Sequence, residues 1–257
     1  MLLCFILVLS ATPPPAGAPT TPKVVAQAER GAAQALERAL KDKSPEVRLA
    51  AVQSQVGVSD ARGVSLVVKA LRDKDRAVRA AAIEALRFST HPKALAGLHK
   101  MAKGKKPLRD DPETHAALLR AIGQHGSTSS IPVLVSELLV LPDRSVTRAG
   151  ILSIANIRSE KSVSALISLM RSAGRNDVQA HMRSLRMALV VLTGKDQGLS
   201  QDAWTTWWND EKHRLEISSN VPPLAPVDRR TWERHWGILR RVDRVLRRHE
   251  RGSGDPE

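Results

Sequence analysis

Asp42-Lys43-Ser44-Pro45-Glu46-Val47-Arg48-Leu49-Ala50-Ala51 is followed, 31 residues later, by Asp73-Lys74-Asp75-Arg76-Ala77-Val78-Arg79-Ala80-Ala81-Ala82. Both stretches place Asp six residues before Arg, Val directly before the Arg, and small residues after it. A period of this length is the signature of stacked helical hairpins, in which each unit shares its core with its neighbours. Weaker echoes fall at His115, Thr147 and Arg183, the last again six residues after an Asp, Asp177. The successive spacings of 31, 36, 32 and 36 predict a repeat body of about five units.

Each unit reads as two helices. Between Ser59 and Leu71, the residues Val64, Leu66, Val67, Val68 and Leu71 recur at helical spacing. The polar run Arg72-Asp73-Lys74-Asp75 then makes a turn, and Val78, Ala81, Ala82, Ala85 and Leu86 give a second apolar stripe. Alanines let neighbouring helices approach closely and carry the best helix propensity. Asp and Ser at the turns suit N-caps, and Pro92 and Pro132 suit first helical turns. No window alternates as a strand does, and Tyr is absent. The reading is all-α, an α-solenoid over residues 22–194.

The Asp-x5-Arg string with Val before the Arg and small residues after it resembles the HEAT repeat, in particular its bacterial, lyase-type HEAT-like form. That resemblance implies that Asp and Arg of successive repeats form a ladder, with Asp42, Arg48, Asp73, Arg79, Asp177 and Arg183 as members. His115 and Thr147 depart from the pattern. It also implies that the second helices line a concave face. The end of the repeat block, Leu192-Thr193-Gly194-Lys195-Asp196-Gln197-Gly198 followed by Trp204-x2-Trp207-Trp208, is similar to the closing segment of exported bacterial HEAT-repeat proteins, a family without an assigned activity.

Residues 1–18 read as a secretory signal. Leu2 to Leu9 is an apolar run of eight, far short of the roughly 20 needed to cross a bilayer, and Ala16-Gly17-Ala18 offers small residues for cleavage. An exported (periplasmic or secreted) protein is therefore expected. The single cysteine, Cys4, lies within that segment, so the rest of the chain has neither thiol nor disulfide.

The chain carries a net charge of +14. Between Arg229 and Arg251 there are nine Arg against Glu233, Asp243 and Glu250, and a second basic cluster joins Lys100, Lys103, Lys105, Lys106 and Arg109. Such fields attract nucleic acid, anionic lipid or acidic polymer. The candidate anion-binding residues are Lys103, Lys105, Lys106, Arg240, Arg241, Arg244, Arg247 and Arg248.

All five Trp lie after residue 203. Trp204, Trp207 and Trp208, spaced to share one helix face, are expected to cap the last repeat in a Trp-rich segment over 195–215. An aromatic platform for sugars or bases is the other use of such a face. Pro222, Pro223 and Pro226 predict a stiff linker over 216–227. A basic amphipathic helix is expected over 228–250, with Trp232, Trp236, Leu239, Val242, Val245 and Leu246 on its apolar stripe, free to dock back, dimerise or lie on an anionic membrane. The tail, 251–257, reads as disordered.

No catalytic, cofactor-binding or metal-binding pattern emerges. The eight His are scattered, and Gly-x-Ser-x-Gly, phosphate-binding Gly loops and dinucleotide fingerprints are missing. Gly194 to Gly198 follows a helix and reads as its C-cap and turn. The expectation is a non-enzymatic scaffold that holds a protein or peptide in its concave groove, with neither cofactor nor transmembrane span. A polyanion- or anionic-lipid-binding module is the alternative. A remote third reading is a HEAT-like DNA glycosylase, though such enzymes carry Trp along the groove rather than at one end. Oligomeric state is left open.

Overall fold

The computed structural model describes residues 22–104, 108, 111–138, 143–172 and 180–238. Twelve α-helices follow one another there, with no strand among the described residues. They are α1 (Pro22–Ala39), α2 (Pro45–Gln53), α3 (Ala61–Ala70), α4 (Arg76–Arg87), α5 (Pro92–Lys103) and α6 (Pro112–Gln124). After a 3-10 turn at Thr128–Ser130 come α7 (Ile131–Leu138), α8 (Arg144–Asn156), α9 (Glu160–Ser172), α10 (Met182–Thr193), α11 (Gln201–Glu211) and α12 (Pro226–Trp236).

Turn chemistry sets the starts. Ser44, Asp60, Asp75, Asp111, Asp143 and Ser200 each accept a hydrogen bond from a backbone N–H of the first turn that follows. These are donors that the helix itself cannot satisfy. His91 does the same through Nδ1, accepting from Lys93 N–H at 3.1 Å. Pro45, Pro92, Pro112 and Pro226 occupy first-turn positions where a missing N–H costs nothing.

Packing makes two layers. The first helices pair in sequence, α1 with α3, α3 with α5, α5 with α7, α7 with α9 and α9 with α11. The second helices pair likewise, α2 with α4, α4 with α6, α6 with α8 and α8 with α10. This is an α-solenoid of five hairpins, α1–α2 to α9–α10, with α11 added to the first-helix layer. One continuous apolar strip runs between the layers, from Ala33 and Leu36 through Ile83, Leu118, Ile151 and Leu166 to Trp204.

Among the described helices the most extensive contact is α6 on α8. Small residues permit it. A Cβ at Gly123 would lie 2.5 Å from the Ser153 Cβ and 2.8 Å from its Cα. Asn156 adds a hydrogen bond from Nδ2 to the Gly123 carbonyl at 3.1 Å.

The repeat register of the second helices is visible in their burial. Residues three, four, six and seven beyond Arg79 (Ala82, Ile83, Ala85, Leu86) are buried, and so are those beyond His115 and Thr147. In α10 the same pattern, Ala188, Leu189, Val191 and Leu192, counts from Leu185. Leu185 therefore stands at the ladder position, and Arg183, assigned there by spacing, is exposed two residues earlier. Asp177 lies outside the described residues.

Candidate functional site: the second-helix face and its C-terminal helix

The ladder begins at Arg48, only 4% exposed. Its Nε and Nη2 donate to the two carboxylate oxygens of Asp73, both at 2.8 Å, and its Nη1 donates to the carbonyls of Asp42 and Lys43. Such a fork-on-fork pair fixes angle as well as distance. Asp42, in the turn between α1 and α2, instead accepts from Ser44 N–H. Arg79 repeats the pattern by donating to the carbonyls of Asp73 and Lys74. It also sits 3.8 Å from Asp111, which pairs with Arg76 at 3.1 Å. Asp111 was not among the expected ladder members because it stands four residues before His115, not six. It serves at once as N-cap of α6 and as counter-ion to Arg76 and Arg79 of the preceding repeat. Further on, buried His115 lies 3.2 Å from Glu137 of α7, and Thr147 turns its hydroxyl back to the Asp143 carbonyl.

The Arg48 hydrogen bonds hold the Asp73 carboxyl below its usual range, outweighing burial. Burial pushes the Asp111 carboxyl up, but hydrogen bonds from Thr114 with the charges of Arg76 and Arg79 leave it lowered on balance. A carboxylate with a depressed folded-state pKa stabilises above its unfolded pKa, and that contribution vanishes as pH falls through the folded value. The first two hairpins should therefore loosen below about pH 4. The protection factors of α2 and α4 amides, taken against the intrinsic exchange rate at each pH, should fall on acidification in the wild type, whereas Asp73→Asn should show lower protection already at neutral pH and a flatter pH response. Equal pH responses would remove the ladder's electrostatic role.

At the other end, Trp204 is fully buried and donates from Nε1 to the Gly198 carbonyl at 2.9 Å. Trp207 meets it edge-on, with centroids 5.6 Å apart, and Trp207 and Trp208 are half-buried against the same core. Trp204 thus fills the end of the strip, and Trp207 and Trp208 pack partly against it.

The segment after α11 is not a free linker. Arg158 donates to the carbonyls of Ser218 and Asn220 and to Val191 at the end of α10, so it ties the segment to the solenoid. Nothing in the sequence marks Arg158 out. Beyond it, α12 lies along the second-helix face. Asp228 accepts from Arg186 of α10 at 3.0 Å, while Arg186 also forks onto Asp196. The helix also touches α8. At its far end Trp236 stacks under the guanidinium of Arg87 of α4, 5.7 Å from the ring centroid, and its carbonyl accepts from Arg87. Trp232 is 7% exposed and packs edge-on to Trp236. Burial, reinforced by the charges of Arg120 and Arg87, pushes the His235 imidazole down to about 3.

The helix expected over 228–250 begins earlier, at Pro226, and residues 239–250 lie outside the described residues. α12 ends at Trp236, where Gly237 takes a φ of +77° and the N–H groups of Gly237 and Ile238 return to the Arg234 and Glu233 carbonyls. This left-handed cap suits glycine because it has no Cβ to clash. The expected anion-binding residues Lys105, Lys106, Arg240, Arg241, Arg244, Arg247 and Arg248 lie outside the described residues. Lys103 is exposed in the last turn of α5. Among the described residues no three His, Cys, Asp or Glu side chains group as metal ligands, and no helix is long and apolar enough to cross a membrane.

The family model of HEAT repeats matches residues 32–110 and 108–186. The chain belongs to the HEAT-repeat family. Its repeats α2 to α9 fall within the matched residues, and α11 and α12 lie beyond them. Among solved structures the chain is similar to one from the complex of CpcE and CpcF of phycocyanin lyase from Nostoc sp. PCC7120. The identity is 18% and the TM-score 0.41, over 82% of this chain and 94% of that one. No curated protein matches the sequence.

Proposed function

We propose that this HEAT-repeat protein is a non-catalytic scaffold whose second-helix face holds an amphipathic helix of a partner protein. The observation that carries this reading is α12 itself. An eleven-residue helix with two Trp and two acidic residues sits on that face, anchored at Asp228 and Trp236. A surface that receives one such helix has the chemistry to receive another, the helix-in-groove mode of recognition. The signal-like residues 1–18 add the expectation that the partner is met in the bacterial envelope or outside the cell.

The test compares the intact chain with a Trp232→Ala/Trp236→Ala variant that vacates the face. Both serve as bait in an envelope fraction, at low and high salt. The vacated chain should retain a given captured protein several-fold better, and equal retention by both baits would refute the face as the binding surface. The net charge of +14 supports a second reading, binding of polyanions or anionic lipid. That reading demands retention that falls steeply with salt, because released counterions drive such binding.

A further inference from the structure

The first repeat carries on its outer side the features that the next repeat buries. In α4, which packs on α2, Val78, Ala82 and Ala85 are 0% exposed. Their counterparts 31 residues earlier are Val47, Ala51 and Ser54 of α2. Val47 is 42% exposed, Ser54 is exposed and Ala51 is half-buried. Beside them on α1, Ala32 and Ala35 are exposed and Ala39 is half-buried, and these three share one helix face. A Cβ built at Gly31 would have no atom within 4 Å.

The polar ladder is open at the same end. Asp42 repeats the local bonds of Asp73: each carboxylate accepts from the N–H two residues on, at 2.8 Å. Each carbonyl also accepts from the Arg six residues later, at 3.0 Å. Asp73 receives in addition the fork of Arg48 from the repeat before it. Among the described residues no arginine reaches the Asp42 carboxylate. Arg38, exposed in the last turn of α1, meets no carboxylate among the described residues either. The other end of the array is closed, since Trp204 fills the strip and Leu215, Ile217 and Leu224 pack on the core beyond α10.

We propose that two copies of this chain meet through these first-repeat faces about a twofold axis, with α1 of each copy over α2 of the other. The closed far end bars a second copy from stacking head to tail. The open face is complementary to itself. Small apolar rows oppose one another and let the helices approach closely. The inter-helix turns come together, and Arg38 of each copy supplies the arginine that Asp42 of the other lacks, the reciprocity that a twofold contact imposes. At 1.5 Å per residue α1 and α2 are about 27 and 14 Å long, and side by side they present roughly 500 Å². The contact then covers about 1,000 Å² in all, the size of weak but specific association, so the dimer forms at tens of micromolar.

Sedimentation equilibrium of the full chain, from a few to a few hundred micromolar, tests this. The wild type should pass from monomer to dimer and stop there. Ala50→Glu, at an exposed position on the outer face of α2, should leave the helical signal and urea midpoint unchanged and hold the chain monomeric. Arg38→Asp should weaken the dimer about tenfold or more, and adding Asp42→Arg to it should restore most of the loss, since the pair is rebuilt with its charges exchanged. A wild type that stays monomeric overturns the proposal, and that is the outcome if residues 1–21 of the same chain cover the face. Mass that keeps rising past the dimer overturns the closed twofold. A dimer untouched by Ala50→Glu overturns the assigned face, and a double variant no tighter than Arg38→Asp overturns the pairing that sets the twofold.

Discussion

Replacing Gly123 by Val should cost about 3 kcal/mol of stability, the upper end of what overpacking a well-filled interior does. The atoms in the way decide the size. A Cβ at this position would meet Ser153 at its Cβ (2.5 Å), Cα (2.8 Å) and carbonyl O (2.9 Å). Two of those three belong to backbone and cannot rotate aside, so α6 and α8 must separate. Theirs is also the most extensive contact among the described helices, and in a solenoid each interface is a separate nearest-neighbour contribution. Weakening it divides the array into α1–α6 and α7–α11. Gly150 gives a graded comparison, because its Cβ would meet the tips of Leu138 (2.6 Å) and Leu119 (3.3 Å), side chains that can turn away. Gly150→Ala should therefore be milder. Gly31, in α1, has no atom within 4 Å of its would-be Cβ, and Gly31→Ala should gain about 0.5–1 kcal/mol from helix propensity alone. Urea midpoints ordered Gly31→Ala, wild type, Gly150→Ala, Gly123→Val would agree with the packing argument. A Gly123→Val midpoint at or above wild type would refute it.

These close approaches also show what the sequence displays and what it hides. The period of Asp42–Arg48 and Asp73–Arg79 declares a helical-hairpin array because each phrase contains its own turn, cap and small-residue stripe. Those are local properties. The register of α10 is hidden from the same phrase, since Asp177 and Arg183 imitate it two residues away from the apolar pattern that packing obeys. When a polar pair and an apolar stripe disagree, the stripe sets the register because it carries the buried area. Asp111 was hidden differently, by combining two roles that separate residues fill in the neighbouring repeats, Asp73 as acceptor and Asp75 as cap. For α12, the Trp232–Trp236 stripe announces that a face must be buried but not where. The destination depends on Arg186 and Arg87, 99 residues apart in the chain and brought level only by the solenoid. Its stop was legible in principle, as Gly237 follows the last residue of the stripe that the helix uses. An apolar period continuing through Leu239 and Val242 masked it.

Trp204→Ala should produce an effect of similar size but different reach. Truncating a fully buried Trp removes about 3–5 kcal/mol from the elements packed around it. Here it also discards the hydrogen bond to the Gly198 carbonyl and the edge-on contact with Trp207. Because α11 touches the array through α9, the loss acts at the end of the strip rather than across its middle. Hydrogen exchange over 195–215 and α9 should rise by orders of magnitude, whereas α3 to α6 should keep their protection, as expected when stability is summed from neighbour to neighbour. Trp207→Ala, at a half-buried ring, should follow the same pattern more weakly. The two outcomes separate a cap from an aromatic platform. Rings held for ligand stacking could be removed with little change in protection, while rings that close the end of a solenoid cannot. If protection over 195–215 survives Trp204→Ala, the capping role falls. If protection drops across every repeat together, the array is a single cooperative unit and the nearest-neighbour account of Gly123 falls with it.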